Sequence, residues 1–162
     1  DVADSAMAPL GLPMSPLNLL GLVGPGVALH VAQTLHDNLG DRYRVSPTIT
    51  RMVKENVKTF YEKDSDGKLK VNPAALALVE KGNSPSTGEA VRLRALNALA
   101  QEARMMLDEG VVATAAEIDI CMLLGAGWPM HLGGILPYLD REGISVSVCG
   151  ARFHQPGVAS LN

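Results

Sequence analysis

Apolar residues recur at helical spacing along most of the chain, and residues that start or stop helices bound each run. The opening Val2-Ala3-Asp4-Ser5-Ala6-Met7 reads as the end of a helix. Ser15-Pro16 then supplies an N-cap followed by proline at the first helical position, where a missing N–H is harmless. Leu17, Leu19, Leu20 and Val23 follow, and Gly24 is placed to end the helix. Pro25 restarts the chain, with Ala28, Val31, Ala32, Leu35 and Leu39 on one period and Gly40 as the stop. Ser46-Pro47 repeats the start signal and predicts a helix through Val57.

Residues 60–71 break this rhythm. Asp66-Gly67 lies between two short extended runs and predicts a small hairpin or polar loop that leans on the helices. Asn72-Pro73 opens another short helix, and Gly82 to Gly88 form a turn-rich linker. The longest element runs from Ser86 to Gly110, with Ser86 and Glu89 fitting a capping box. Leu93, Leu96, Leu99, Ala100, Ala103, Met106 and Leu107 form its apolar stripe, opposite Asn97, Gln101, Arg104 and Asp108. Thr114 and Glu117 form a second capping box before a helix to about Leu124. A further helical stretch follows Pro129, spans Leu132 to Asp140 and stops near Gly143.

The fold class is mainly α, with a hairpin or loop insert, and a weak duplication organises it. Asp4-Ser5-Ala6-Met7, Gly11-Leu12-Pro13-Met14 and a helix ending at Gly24 form one copy. Asp119-Ile120-Cys121-Met122, Gly127-Trp128-Pro129-Met130 and a helix ending at Gly143 form the other. Such a repeat predicts two similar helical units about a pseudo-two-fold axis. On this reading residues 1–57 are the end of the first unit and 58–85 a hairpin and short-helix connector. Residues 86–143 are the second unit and 144–162 a loose tail.

Composition narrows the function. A chain of 162 residues with 47% apolar residues can bury a core. A net charge of −3 excludes a general nucleic-acid binder. No apolar run reaches the length of a membrane span, and no basic stretch followed by an apolar core reads as a signal peptide. Cys121 and Cys149 are too few for a disulfide framework. Cys121 lies on an apolar helix and reads as an inert core thiol, whereas Cys149 falls in the tail and reads as exposed.

No complete catalytic set emerges. Gly125-Ala126-Gly127 follows a helix rather than a strand, so it is not a dinucleotide loop. His30 and His36 are six apart, about 600° around a helix, on different faces. His131 and His154 stand alone in loops, and no spacing matches a metal set. His131 keeps interest because it sits beside Gly133-Gly134. Asp64, Asp66 and Gly67 lack the twelfth-position glutamate of a calcium loop. Arg92, Arg94 and Arg104 read as a solvated helix face. Pro13-Met14 and Pro129-Met130 each mark a break between helices, where methionine can line an adaptable apolar pocket.

The second motif, from Asp119 through Gly127-Trp128-Pro129-Met130 to Gly133-Gly134 and Tyr138-Leu139-Asp140-Arg141-Glu142-Gly143, resembles the C-terminal helical domain of 3-hydroxyacyl-CoA dehydrogenases. Leu107-Asp108-Glu109-Gly110-Val111-Val112 fits the same pattern, and Gly11 to Leu20 is similar to a first copy. Two tandem copies resemble the multifunctional fatty-acid oxidation α-subunit, in wording closest to actinobacterial versions. The resemblance implies a fold like the C-terminal domain of 6-phosphogluconate dehydrogenase. It implies that this chain is a fragment, and that a hydratase and an NAD-binding Rossmann half precede it in the parent.

The activity implied for the parent is NAD-dependent oxidation of 3-hydroxyacyl-CoA, with enoyl-CoA hydration. In that family a Rossmann-half histidine takes the hydroxyl proton as hydride passes to the nicotinamide. The resemblance implies no catalytic residue, no metal and no cofactor in this chain itself. It puts Pro13, Met14, Ser15 and Pro16 near the acyl-CoA side of the cleft. Gly127, Pro129, Gly133, Gly134 and Asp140 become the structural motif of a catalytically silent second copy. The chain departs from the family where Ser15 replaces a glycine and Gly21 an acidic residue. Expected partners are the acyl-CoA substrate, the missing Rossmann and hydratase domains, a thiolase subunit and a second copy of the fragment, in the cytoplasm. The competing expectation is a free-standing helical dimerisation or scaffold module without catalysis.

Overall fold

The structure is a computed structural model that describes residues 2–80, 82–84 and 86–158. Among these residues the helices are α1 (Val2–Ser5), α2 (Pro16–Val23), α3 (Pro25–Leu39), α4 (Pro47–Lys54), α5 (Pro73–Ala77), α6 (Gly88–Asp108), α7 (Ala115–Leu124), α8 (Ile135–Arg141) and α9 (Ile144–Cys149). Strands β1 (Tyr61–Lys63) and β2 (Leu69–Val71) form the hairpin. The mainly α class with a small hairpin insert holds. The chain divides into two compact units, Met14–Pro85 and Val2–Pro13 with Ser86–Asn162.

In the first unit, proline stands in the first turn of α2, α3, α4 and α5. Its fixed φ fits there and no intrahelical N–H is lost. Ser46 caps α4 by accepting from the Ile49 N–H, and Asn72 caps α5 by accepting from the Ala74 N–H. Helix α4 stops short of Val57 because Asn56 turns left-handed at φ 56°. The hairpin pairs Tyr61 with Val71 and Lys63 with Leu69. Its turn is built by Asp64 Oδ1, which accepts from the N–H groups of Asp66 and Lys68. Asn72 Nδ2 donates to the Thr59 carbonyl at 3.0 Å and fixes the strand ends. Met52 and Ala75 are fully buried, while Leu22 is 73% and Val27 55% exposed.

The second unit packs around α6, which turns Leu96, Ala100 and Ala103 inward. Leu93, expected on the same stripe, is 49% exposed instead. Helix α8 is buried along most of its length by Ile135, Leu136, Pro137 and Leu139. Trp128 meets Tyr138 edge-on at 5.4 Å. Residues 2–13, expected with the first unit, pack here: Ala6 lies against Gly88, and Arg92 donates to the Ala6 carbonyl at 3.2 Å.

Four further expectations are corrected. The cap of α6 is Thr87, whose hydroxyl accepts from the Ala90 N–H, in place of Ser86. Thr114 makes no side-chain cap, and Glu117 reaches back to the Ala113 N–H at 2.8 Å. Residues 144–154 are not loose. Helix α9 buries Ile144 and Ser145, and Phe153 packs on the core; residues 159–162 lie outside the described residues. The two thiols exchange places. Cys121 faces solvent because α7 turns Ile118 and Asp119 inward, and half-buried Cys149 donates to the Ala100 carbonyl at 3.5 Å.

Candidate functional site

The first break is made of Pro13, Met14, Ser15 and Pro16. A 3-10 turn, Ala8–Leu10, ends at Gly11, left-handed at φ 70°. The boundary between the two units then falls between Pro13 and Met14. Met14 is exposed at 41%. Ser15 is the extended N-cap of α2, and its hydroxyl accepts from Asn18 Nδ2 at 2.7 Å, leaving the helix N–H groups without a side-chain cap. Pro16 opens the helix. The segment offers solvent a thioether, a hydroxyl and two proline rings.

The second break, Gly127 to Gly134, lies wholly in the second unit. Gly127 is left-handed at φ 69°, and a Cβ built there would stand 3.0 Å from Cγ of Pro13. In return, a Cβ on Gly11 would stand 3.4 Å from His131 and 3.9 Å from Pro129. The corresponding glycine of each repeat therefore meets the proline of the other. His131, exposed, packs its ring against Gly11. Pro129 precedes a 3-10 turn, Met130–Leu132, and Met130 is 73% exposed.

Gly133 takes φ 74° and Gly134 caps α8. Gly134 has no room for a side chain, since a Cβ would come within 2.4 Å of the Asp119 carboxyl carbon. That carboxylate accepts from the Leu136 N–H at 2.9 Å through Oδ1 and meets Nε2 of His154 at 2.7 Å through Oδ2. Asp140 does parallel work one helix further on. Its Oδ1 accepts from the Ser145 hydroxyl and, at 3.0 Å, the Phe153 N–H. Its Oδ2 accepts from the His154 N–H at 2.9 Å, with Arg152 4.0 Å away. Two buried carboxylates thus hold residues 145–154 against α7 and α8. Sequence reading singled out Asp140 but missed its partners, because nothing local connects positions 14 residues apart.

Ser145 is fully buried, and its hydroxyl donates to Asp140. Among the described residues no group of three His, Cys, Asp or Glu side chains could hold a metal. Gly125-Ala126-Gly127 follows α7, so no strand-to-helix phosphate cradle forms there. His36 caps the end of α3, its Nδ1 2.9 Å from the Tyr43 carbonyl, and His30 is exposed on the same helix. Burial pushes the Tyr138 hydroxyl above its ordinary range, and neighbouring Glu142 adds to it. Burial likewise raises the Cys149 thiol, against a lowering by Arg104.

Two open clefts flank α6. One, of 120 Å³, is apolar and lined by Leu99, Ala103, Met106, Ile118, Met122 and Leu136. The other, of 160 Å³, is mixed and bordered by Glu89, Arg92, Leu93, Tyr138 and Glu142. No single helix among the described residues is long and apolar enough to cross a membrane.

Comparison with known proteins places the first break inside a family match. Residues 2–67 match the family described as 3-hydroxyacyl-CoA dehydrogenase, C-terminal domain. The chain is 32% identical over 157 residues to a peroxisomal fatty acid beta-oxidation multifunctional protein of Arabidopsis thaliana, covering 86% of the chain and 22% of that protein. It is 30% identical over 154 residues to the fatty acid oxidation complex subunit alpha of Idiomarina loihiensis, covering 90% of the chain and 22% of that subunit. The corresponding subunit of Acinetobacter baumannii is 29% identical over 173 residues, covering 93% of the chain and 24% of the subunit. The chain spans about a fifth of the length of these relatives.

Proposed function

We propose that this chain, whose residues 2–67 match the C-terminal-domain family of 3-hydroxyacyl-CoA dehydrogenases, is the helical part of such an enzyme within a fatty-acid β-oxidation multifunctional protein. The observation that carries the reading is that the match spans the break at Pro13-Met14-Ser15-Pro16, and the wider likeness continues through the second repeat. The parent reaction is oxidation of 3-hydroxyacyl-CoA by NAD, beside enoyl-CoA hydration.

This chain's share is binding and bracing. Pro13, Met14, Ser15 and Pro16 wall the acyl side of the cleft. An exposed thioether offers a polarizable surface that adapts to an alkyl chain, and prolines on either side restrict the backbone that carries it. The second repeat, with Gly127, Pro129, Gly133, Gly134 and Asp140, is a structural brace. NAD and the proton-accepting histidine belong to the parent's preceding domains. The fragment alone binds no NAD and turns nothing over. Acyl-CoA is its ligand in the parent, the preceding domains and a thiolase subunit its partners, and the cytoplasm its compartment.

Deletion tests the reading. Removing this chain from the longer polypeptide should abolish 3-hydroxyacyl-CoA oxidation while leaving enoyl-CoA hydration in place. An oxidation rate unchanged by the deletion contradicts it and favours a scaffold role.

A further inference from the structure

We infer that Gly127, in the second repeat, is a positioning residue for the break at Pro13, Met14, Ser15 and Pro16. The inference deepens the proposed function and rests on its placement of that break against the acyl chain. Two observations carry it. A Cβ on Gly127 would lie 3.0 Å from Pro13 Cγ and 3.6 Å from Cδ, close enough that the stiff ring must give way by a few tenths of an ångström. The φ of 69° at Gly127 also favours glycine.

Pro13 is the last residue of the second unit before the chain passes into the first. A stiff pyrrolidine ring seated on a bare glycine backbone holds Pro13, the residue bonded to Met14. Gly11, two residues before Pro13, is held in turn by Pro129 and His131. The second repeat therefore grips both ends of the Gly11-Leu12-Pro13 turn. It makes no chemistry of its own and acts through the backbone that presents Met14.

The test is kinetic and uses the full-length parent. Gly127→Ala, Gly110→Ala, Pro13→Ala, Met14→Ala and the Gly127→Ala/Pro13→Ala double variant are assayed for 3-hydroxyacyl-CoA oxidation at saturating NAD. Gly110→Ala is the control for backbone strain, with φ 70° and nothing within 4 Å. Gly127→Ala should raise KM for the acyl-CoA roughly tenfold with kcat changed less than about twofold, as expected when binding of the acyl chain is weakened equally in ground and transition states. Gly110→Ala should leave KM unchanged. The double variant keeps the backbone strain of Gly127→Ala without the ring contact, so its KM should rise over Pro13→Ala by less than Gly127→Ala rises over wild type.

Should Gly127→Ala not fold, Gly127→Asn, which tolerates a left-handed backbone but brings the same Cβ against Pro13, should raise KM a few-fold. Wild-type KM in Gly127→Ala, or an equal KM rise in Gly110→Ala, overturns the inference. If Met14→Ala raises KM and Gly127→Ala does not, the inference alone falls. If neither moves KM, the placement of the break falls with it.

Discussion

The backbone of Gly127 lies against the ring of Pro13, and Gly11 lies against Pro129 in return. Each partner is the counterpart of the other in the two Gly-x-Pro-Met segments. Both glycines also carry positive φ. Each turn presents bare backbone to the other's proline.

Gly134 offers the sharpest stability prediction. Alanine there collides with the Asp119 carboxylate, which cannot retreat without giving up the Leu136 N–H and His154. Gly134→Ala should lower the stability of the purified chain by about 3 kcal/mol. Gly143→Ala, with similar φ and open space, should cost about 1–2 kcal/mol. Urea denaturation followed by circular dichroism separates the two; equal losses would contradict the packing described.

Asp140 is the anchor of residues 145–154. Asp140→Ala leaves the Ser145 hydroxyl and the N–H groups of Phe153 and His154 without their acceptor. A loss of about 3–5 kcal/mol is expected, because buried donors lose partners and Arg152 loses a counter-charge. Asp140→Asn keeps one oxygen and should lose less. Proteolysis after Cys149 should accelerate in both variants, in the same order.

The two thiols should react at different rates. Exposed Cys121 should be alkylated quickly at pH 8, and Cys149 slowly, since burial holds it protonated. Raising a thiol's value in the folded state favours the neutral form. The stability Cys149 contributes is therefore complete below the ordinary thiol value of 9.0 and is lost as pH rises through the higher folded value. Mass spectrometry after a timed iodoacetamide pulse reads the rates. Melts of the Cys149→Ser variant against the wild-type chain from pH 8 to about 10 read the linkage, and the two should converge as pH rises.

Helix α6 tests the capping assignment. Thr87→Ala should cost about 1 kcal/mol, whereas Ser86→Ala should change little. Thermal melts of the two variants decide it, and the reverse order would restore the capping box expected at Ser86.

Helix starts were legible because Ser-Pro and Asn-Pro encode them locally, and the hairpin because Asp66-Gly67 demands a turn. The second break was legible as a motif. What escaped was set by distant partners. Residues 144–162 look loose in sequence, with two glycines and a proline, yet Asp119 and Asp140 hold residues 145–154 from other helices. The faces of Cys121 and Cys149 followed from packing, not residue type. Apolar runs on both faces of α7 leave the period ambiguous, so the inward set of Ile118 and Asp119 could not be chosen from sequence. Residues 2–13 joined the second unit because of Arg92 and Gly88, partners about 80 positions away.

The central claim is that this chain completes a dehydrogenase cleft, and complementation tests it most directly. The parent polypeptide is truncated just before Asp1, and the purified chain is titrated into an assay of NAD reduction by 3-hydroxyacyl-CoA. A saturable rise in rate, reduced in affinity for acyl-CoA when the added chain carries Met14→Ala, is the predicted result. A rate that stays at the truncated level at every concentration would contradict it.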